Sequence, residues 1–375
     1  MSDPSEAPKK RVPTPVAVLG TGKVGRLVCQ LLAASGDYAV TAVDFDPSHA
    51  RAAVSGADGA LLPGCRHSTA DFGDRAALSV ALAGQGYVVS CAPYHCNVRI
   101  AEVAREQGVN YLDLTEDVAT TKAVMALAEG SDLAFIPQCG LAPGFVSIVA
   151  NWLASQFEEL ESVKMRVGAL PLYPHNRLKY NITWSTDGLI NEYGNPCEAI
   201  VAGRKVSLPP LAGHEVFCID GEDYEAFNTS GGLGTLADSW SGRVRNMDYK
   251  TIRYPGHRDI MALLMEDLKL NEDRDTLKRI FERALPHTHQ DIVLVFVTAT
   301  GWRNGVYSQE AYAKKIYHTE RGGRHWGAIQ ITTASGVCAV LDLHASGQLP
   351  RSGFVRQEDL PYEHFIANRF GRAFA

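Results

Sequence analysis

Six residues near the start of the chain have the composition of a loop that binds a diphosphate. They read Gly20-Thr-Gly-Lys-Val-Gly25 and follow a short apolar run that ends at Leu19. Glycines at the first, third and sixth positions permit a tight turn, a close approach of backbone to phosphate, and close packing of the next helix on the strand. The free N–H groups at the start of that helix would face the anion. We therefore predict that a dinucleotide contacts Gly20, Gly22, Lys23, Val24 and Gly25.

An acidic residue follows at the distance that this type of loop requires. Asp44 ends a second apolar run, Ala39–Val43, and comes about 20 residues after the loop. At that position a carboxylate accepts hydrogen bonds from the adenosine ribose hydroxyls. Because its charge would repel a 2′-phosphate, the sequence predicts NAD rather than NADP. Ala92 and Pro93, in a later loop, are also predicted to contact the cofactor.

Three loops with polar side chains follow later strands, at 92–95, 113–117 and 138–144. In an open α/β sheet the ligand lies outside the carboxyl ends of the strands, so these loops should surround it. A general base needs a pKa near the working pH, and the sequence does not decide which group supplies it. Glu116 and Asp113 could equally cap or pair with a helix start, and His95 could be a solvated loop residue. The catalytic candidates are Tyr94, His95 and Asp113, and Glu116 is a predicted substrate contact.

The elements that must position these residues alternate in type. Apolar runs end at Leu19, Val43, Ser90, Asp113 and Ile136, and helical stretches lie around 74–83, 97–107 and 118–129. This alternation is typical of a doubly wound α/β fold, a parallel sheet with helices on both faces. From about residue 162 the stretches become strand-like with polar loops between them, which predicts a second, α+β domain with an open mixed sheet. Strands are predicted at 180–184 and 328–332, and a helix at 333–346.

Polar segments in the second half have the composition of a pocket for a small acid. Tyr249–His257 packs two aromatic residues, two cations and a histidine into nine positions. An arginine fork can hold a carboxylate through two hydrogen bonds, which suits an amino-acid substrate. The alternative for Arg253 is an ion pair at the surface or between domains. The predicted substrate contacts in this half are Lys179, Thr229, Ser230, Gly231 and Arg253.

Composition excludes several classes of protein. With 46% hydrophobic and 21% charged residues the chain should be globular rather than disordered, and its net charge of −6 disfavours a nucleic-acid binder. The eight cysteines include no Cys-x-x-Cys pair, so we expect neither a metal site nor a disulfide frame. We see no apolar run that approaches a membrane span and no apolar segment behind the N-terminal lysines. The expected location is therefore the cytoplasm, without a membrane partner.

Over nearly its whole length the chain resembles the saccharopine dehydrogenase and lysine 6-dehydrogenase family. The resemblance implies an NAD-binding Rossmann domain over 15–145 after a polar lead at 1–14. It further implies a substrate-binding and dimerisation domain over 146–328 and a segment, 329–375, that returns to the first domain. Ala169 departs from the family, which commonly has a second glycine there. The motifs that carry the resemblance are 18–25, 140–144, 168–171, 187–193, 225–232 and 249–257.

The resemblance also implies a reaction. Both subfamilies oxidise the C–N bond at the ε-carbon of a lysine unit and yield 2-aminoadipate semialdehyde; the nitrogen leaves on glutamate from saccharopine, or as ammonia from lysine. Saccharopine carries three carboxylates, and the cations Arg177, Lys179, Arg253 and Arg258 favour it slightly. Lysine, a carboxynorspermidine-type substrate and a non-catalytic NAD-binding scaffold remain alternatives. The apolar run 291–298 makes a homodimer the expected assembly.

Overall fold

The computed structural model describes residues 12–375 of the chain. Its strands are β1 (Thr14–Leu19), β2 (Tyr38–Asp44), β3 (Arg66–Thr69), β4 (Tyr87–Ser90), β5 (Asn110–Asp113), β6 (Ala134–Ile136), β7 (Glu159–Pro171), β8 (Cys197–Val201), β9 (Arg204–Leu208), β10 (Glu215–Ile219), β11 (Glu222–Asn228), β12 (Val244–Arg253), β13 (Asp291–Arg303), β14 (Val306–Tyr317), β15 (Thr319–Arg321), β16 (Arg324–Trp326) and β17 (Gly353–Phe354). Its α-helices are α1 (Lys23–Ser35), α2 (Pro47–Ala53), α3 (Arg75–Leu82), α4 (Tyr94–Gln107), α5 (Val118–Ala128), α6 (Phe145–Ala154), α7 (Thr186–Gly194), α8 (Leu236–Trp240), α9 (His257–Ala262), α10 (Arg274–Ala284), α11 (Ala328–Ala345) and α12 (Tyr362–Ala367). A π-helical turn (Leu263–Asp267) extends α9, and short 3-10 turns lie at Gln357–Asp359 and Gly371–Phe374.

The first sheet is parallel throughout and confirms the predicted doubly wound fold. Its seven strands run in the order β3-β2-β1-β4-β5-β6-β17. The chain therefore starts in the middle and winds outward in both directions, and the order reverses between β1 and β4. Val16–Leu19 of β1 are completely buried, as expected of a central strand. Sequence analysis missed β3, because its residues Arg66–Thr69 are polar and largely exposed.

The second sheet is mixed, as predicted. Its main path is β10-β11-β12-β7-β13-β14, in which β7 and β12 are parallel and the other neighbours antiparallel. Strand β13 lies between β7 and β14 over its whole length. Its apolar residues are therefore buried within this chain, and they no longer argue for the homodimer that we expected from them.

The C-terminal segment packs against both sheets. Helix α11 contacts α1 and β13, and β17 pairs in parallel with β6. The strand predicted at 328–332 is wrong, since these residues form the first turn of α11. Helix α11 is 18 residues long with a mean hydropathy of 1.2, enough by length and composition to cross a membrane, contrary to our reading of the sequence. Because 72% of it is buried inside the fold, packing accounts for its apolar character.

The strand predicted at 180–184 is also wrong. These residues form a loop. It pairs with another segment through one isolated β-bridge, between Ile182 and His287. Tyr180 and Ile182 are nevertheless buried, at 1% and 3% exposure. The loop then enters α7, where the Ser185 hydroxyl accepts a hydrogen bond from the Gly188 N–H at 3.1 Å. It thus carries aromatic and apolar side chains from the second sheet to the first.

Candidate functional site

A cleft with a volume of about 790 Å³ opens at the carboxyl ends of the first-sheet strands. The face formed by β7 and β12 of the second sheet closes it, together with α7, α10 and the start of α11. The first domain contributes the loops that follow β1, β4, β5 and β6. The residues that line the cleft from these loops include Gly22–Gly25, Cys91–His95, Leu114–Glu116 and Gly140–Pro143.

The glycine-rich loop has the shape that a bound diphosphate requires. A Cβ on Gly25 would overlap the carbonyl oxygen of Gly20, so only glycine allows α1 to pack this closely on the turn. Gly22 is exposed, and a Cβ there would have no atom within 4 Å, so its backbone borders open space at the start of α1. Lys23 and Val24 line the same cleft. The loop therefore fits a dinucleotide: tight where it packs and open where the phosphates would lie.

Asp44 holds this loop in place. Its Oδ2 accepts hydrogen bonds from the N–H and the hydroxyl of Thr21 at 2.7 and 2.9 Å, and its Oδ1 accepts one from the N–H of Asp46 at 3.1 Å. The residue is 5% exposed and borders a second cavity of about 730 Å³. The predicted contact with ribose hydroxyls stays a prediction. The structure adds a role that the spacing did not reveal, which is to tie the loop to the end of β2.

The two cavities form one groove. They share Gly22, Ala92, Pro93 and His95, so these residues lie where the two halves of a dinucleotide would meet. The cavity beside Asp44 would receive the adenosine half and the larger cleft the nicotinamide half. This division follows the rule that ligands of such sheets lie where the strand order reverses.

Arg253, at the end of β12, is a buried cation without an ionic partner among the described residues. It is 2% exposed and lines the cleft. Its Nε donates to the Tyr193 hydroxyl at 2.7 Å and its Nη1 to the carbonyl of Ile252 at 2.8 Å, while its Nη2 has no hydrogen bond within residues 12–375. The rings of Tyr180 and Tyr193 lie 5.2 and 5.7 Å from the guanidinium carbon. A desolvated charge is costly unless it is paired, so an anion bound in the cleft would stabilise this guanidinium.

A chain of hydrogen bonds fixes the direction of Arg253. His257 donates from Nδ1 to the carbonyl of Leu178 at 2.9 Å, so its Nε2 accepts from the Tyr193 hydroxyl at 3.1 Å. That hydroxyl in turn accepts from Arg253. Burial, together with the charge of Arg253, lowers the pKa of His257 to about 3 and keeps the ring neutral. His257 is therefore a positioning group, one end of a neutral support for the cation.

Two carboxyl groups in the cleft have pKa values near neutrality. Burial raises the pKa of Glu116 to about 7, with smaller contributions from the charges of Asp117 and Asp113. Burial and the charge of Glu116 raise the pKa of Glu192 to about 8, although Arg253 lowers it. Groups with such pKa values can accept and return protons at physiological pH. Glu116 was predicted as a substrate contact, and the structure adds Glu192 as its neighbour across the cleft.

Tyr94 and His95, two of the predicted catalytic residues, lie at the rim of the cleft. Tyr94 begins α4 and is partly buried, which raises its pKa, whereas His95 is exposed and borders both cavities. Facing them, the Lys23 Nζ lies 3.1 Å from Nδ1 of His287, a contact between the two domains. Burial lowers the pKa of Lys23. The rim therefore carries groups that could orient a ligand at the junction of the groove.

Asp113 does not reach the cleft, contrary to the catalytic role predicted for it. It is completely buried and accepts hydrogen bonds from the Tyr111 hydroxyl at 2.8 Å, the Thr115 N–H at 3.0 Å and the Gln138 N–H at 2.9 Å. Burial raises its pKa to about 6, against the effect of these bonds. Its carboxyl group joins the loops that follow β5 and β6. The geometry thus assigns it to the scaffold that carries Glu116.

Four predicted substrate contacts also lie outside the cleft. The Lys179 Nζ donates to the carbonyl of Pro255 at 3.0 Å on an exposed surface. The N–H of Ser230 donates to the Glu192 carbonyl at 2.9 Å, and a Cβ on Gly231 would overlap the Glu116 carbonyl oxygen. Thr229 is 2% exposed, with a hydroxyl that has no partner. The segment 229–231 therefore supports the two glutamates instead of donating to a ligand.

Sequence reasoning missed several residues of the cleft. Glu192 lies on α7, where every residue of Gly188–Tyr193 is buried, and the available signal was its place in the motif 187–193 that carries the family resemblance. Tyr249 is the first residue of the segment Tyr249–His257, in which we had predicted Arg253 as a substrate contact. It is 6% exposed. Trp184 and His287 come from loops, and their positions depend on tertiary packing that has no local signal. Among residues 12–375 no group of three or more histidine, cysteine, aspartate or glutamate side chains is arranged to hold a metal ion.

Comparison with known proteins gives matches for both halves of the chain. Residues 16–132 match the family model described as the saccharopine dehydrogenase NADP binding domain, and residues 140–370 match the saccharopine dehydrogenase C-terminal domain. Apo saccharopine dehydrogenase (L-Glu forming) from Saccharomyces cerevisiae is 17% identical with a TM-score of 0.76, over 96% of this chain and 96% of that chain. A myo-inositol dehydrogenase from Corynebacterium glutamicum ATCC 13032 is 13% identical with a TM-score of 0.47, over 97% of this chain and 94% of that one. A probable dehydrogenase from Thermotoga maritima is 9% identical with a TM-score of 0.46, over 96% and 94%.

Proposed function

This chain belongs to the saccharopine dehydrogenase family of oxidoreductases, and we propose that it uses NAD to oxidise the C–N bond at the ε-carbon of the lysine unit of saccharopine. The products would be 2-aminoadipate semialdehyde and L-glutamate. The observation that carries the proposal is Arg253, a buried guanidinium with no ionic partner among the described residues. It faces a cleft that also holds two carboxyl groups with pKa values near neutrality. That combination suits an amino acid with a carboxylate at one end and an amine at the other.

The cofactor site supports a nicotinamide dinucleotide and favours NAD. Gly20–Gly25 and the start of α1 would hold the diphosphate, and Asp44 would hold the adenosine ribose. The adenosine cavity is lined by the carboxylates of Asp44, Asp71 and Glu102, and its arginine, Arg99, donates to the carbonyl of Gly73 at 2.5 Å. Acidic surroundings of this kind disfavour a 2′-phosphate. When bound, the nicotinamide supplies the acceptor for a hydride.

The side chains of the cleft supply binding and proton transfer. Arg253 holds a carboxylate of the substrate through charge-assisted hydrogen bonds and so fixes the reacting carbon. Glu116 or Glu192 accepts a proton from the substrate ammonium, which frees the nitrogen lone pair to expel hydride from carbon. After water adds to the resulting imine, the protonated carboxyl group returns its proton to the departing nitrogen.

Three cations line the cleft, which matches the three carboxylates of saccharopine. They are Lys23, Arg253 and Lys278. The other cations that we counted for these carboxylates, Arg177, Lys179 and Arg258, do not line it.

Lysine is a second candidate substrate, favoured by a specific observation. Lys278 is paired with Asp187 at 2.7 Å and Lys23 contacts His287, so Arg253 is the one cleft cation without a side-chain partner of opposite charge or an imidazole within the described residues. One free cation matches the single carboxylate of lysine. In that reaction the nitrogen would leave as ammonia.

Initial rates of NAD reduction test the proposal. The purified chain is assayed with saccharopine, lysine and carboxynorspermidine at matched concentrations, each with NAD and with NADP, while glutamate and ammonia are quantified. We expect the highest kcat/KM with saccharopine and NAD, with glutamate formed in equal amount to reduced cofactor. Ammonia formed from lysine would move the assignment to the second candidate. If NAD binds but no amine reduces it, the enzyme assignment is wrong and a non-catalytic binding protein remains.

A further inference from the structure

The outer edge of β14 is much longer than the other sheet edges in the part of the chain that the structure describes. This strand ends the main path of the second sheet, and its far side pairs with no strand of residues 12–375. It has 12 residues, whereas the other edge strands, β3, β9, β10, β15, β16 and β17, have two to five. Proteins commonly keep edge strands short, because their free N–H and C=O groups bind other strands.

The other usual protections of a strand edge are weak here. The pairing of β14 with β13 runs through all 12 residues without a register shift, and the strand contains no proline. Lysines on an edge often keep other strands away, but both lysines of β14 have partners in this chain. Lys315 lies 2.9 Å from Asp220, and Lys314 donates to the carbonyl oxygen of Ala375.

The strand also exposes apolar side chains along its length. Tyr307 and Tyr317 are each 51% exposed, and Val306 is 63% exposed. Ala311 and Ala313, between the two tyrosines, are exposed as well. Exposed apolar side chains beside free backbone groups are typical of a strand that pairs with another chain.

The sequence of β14 is complementary to itself in one register. When two copies pair antiparallel about a two-fold axis perpendicular to the sheet, opposite residues must point to the same face. This holds only when the axis passes through a residue and not between two. With the axis at Tyr312, Glu310 lies opposite Lys314 at two symmetric positions. An axis one residue earlier or later places Glu310 opposite Tyr312 or Ile316, so the charges no longer meet.

The same register brings aromatic residues together. Tyr307 of each copy lies opposite Tyr317 of the other, and Ala311 lies opposite Ala313. Cross-strand pairs of opposite charges and of aromatic rings both stabilise sheets. Glu310 is paired with Arg303 at 2.8 Å, and a carboxylate can accept further hydrogen bonds from a lysine opposite it.

We propose that two copies of this chain join through β14, antiparallel about a two-fold axis at Tyr312, so that their second sheets form one continuous sheet. The apolar run of β13, from which we predicted a homodimer, lies inside the sheet, and its neighbour β14 supplies the interface. No residue of β14 lines the cleft. Each copy therefore keeps its own cleft, and the interface can be altered without a change in the site.

Exchange of the two charges tests both the interface and its register. The dissociation constant of the dimer is measured by sedimentation of the full chain as wild type, E310K, K314E and the double variant E310K/K314E. Each single variant places like charges opposite each other twice and should raise this constant about tenfold or more. The double variant restores opposite charges and should return it to within about threefold of wild type. Because the double variant also lacks the contacts with Arg303 and Ala375, its recovery reports pairing across the axis.

The matched control is E222K, at an exposed glutamate of β11 in the same sheet, which should dimerise as wild type does. Amide hydrogen exchange of residues 306–317 supplies a measurement that needs no variant, since it should slow when dilute wild-type protein is concentrated. A wild type that stays monomeric at micromolar concentration would overturn the proposal. So would a dimer that neither single variant weakens, or a double variant that remains as weak as the single ones.

Discussion

Replacement of Arg253 by methionine separates binding from stability. The guanidinium forms no ion pair within the described residues, so its loss removes two hydrogen bonds, to Tyr193 and Ile252, but also the cost of burying a cation. Hydrogen bonds that involve a charged group contribute about 1.5–3 kcal/mol each, and the desolvation of the buried charge opposes that gain. We therefore expect the melting temperature of R253M to stay within a few degrees of wild type.

Activity should respond far more strongly than stability. Truncation of one partner of a buried, hydrogen-bonded charge pair costs about 2–5 kcal/mol, which corresponds to a roughly 30- to 4000-fold loss of kcat/KM. Because Arg253 lowers the pKa of Glu192, its removal should also move the acid limb of the pH profile, where a general base loses its proton, to higher pH. The shift is a readout that a purely structural role would not produce. Initial rates across pH 6–10, with melting curves on the same samples, measure both effects.

Tyr193→Phe is the matched control for this experiment. It keeps the cation and removes the hydroxyl that accepts a hydrogen bond from Arg253 Nε at 2.7 Å. The hydroxyl also donates to Nε2 of His257 at 3.1 Å, so the variant loses both hydrogen bonds that support the cation. We expect a loss of kcat/KM of about tenfold, with the pH profile close to wild type. An unchanged kcat/KM in R253M, or a loss that merely follows unfolding of the sample, would refute the assignment of Arg253 as the carboxylate anchor.

Three further predictions concern stability and cofactor binding. The raised pKa of Glu192, about 8 against an ordinary 4.5, means that the folded chain binds more protons than the unfolded chain between these values. Stability should therefore fall as pH rises through this window, and E192Q should show a smaller fall in melting curves recorded from pH 5 to 8.5. Gly25→Ala should lower the melting temperature, because its Cβ overlaps Gly20, whereas Gly22→Ala should melt normally and raise KM for NAD. Asp44→Ala should raise KM for NAD more than KM for NADP, since it removes both the ribose acceptor and the charge that opposes a 2′-phosphate.

Each of these three predictions has an outcome that would contradict it. Equal pH dependence in E192Q and wild type would place the proton uptake elsewhere. An unchanged KM for NAD in the Gly22→Ala variant would contradict the placement of the diphosphate at this loop. A wild type that already prefers NADP would show that the charge of Asp44 does not decide cofactor choice.

Features that depend on local chain geometry could be predicted from the sequence. The glycine-rich loop follows from the φ and packing limits of single residues, and the structure bears out the tight fit at Gly25. The parallel sheet follows from buried apolar runs between amphipathic helices. At 180–184 nearly all residues are buried, and at 328–332 burial alternates along the first turn of α11 as it would along a strand. A buried loop and a core helix both lose the periodicity that distinguishes them from a strand.

The chemistry of the cleft was harder to predict because it depends on burial. Asp113 and Glu116 stand three positions apart, yet one is locked by three hydrogen bonds in the core and the other faces the cleft. Glu192 and Arg253 come from different elements of the second domain, and no sequence spacing brings them together.

The seventh strand of the first sheet has a consequence for how this chain is made. β17 pairs with β6, and Gln357 donates to the carbonyl of Pro137, 220 positions earlier in the chain. During synthesis the nucleotide domain therefore lacks one edge strand until β17, which follows the whole second sheet in the chain, has been translated. During that interval β6 presents unpaired backbone groups, which favour association between nascent chains. Shortening the chain before residue 353 should thus reduce soluble yield more than its small loss of buried surface would suggest.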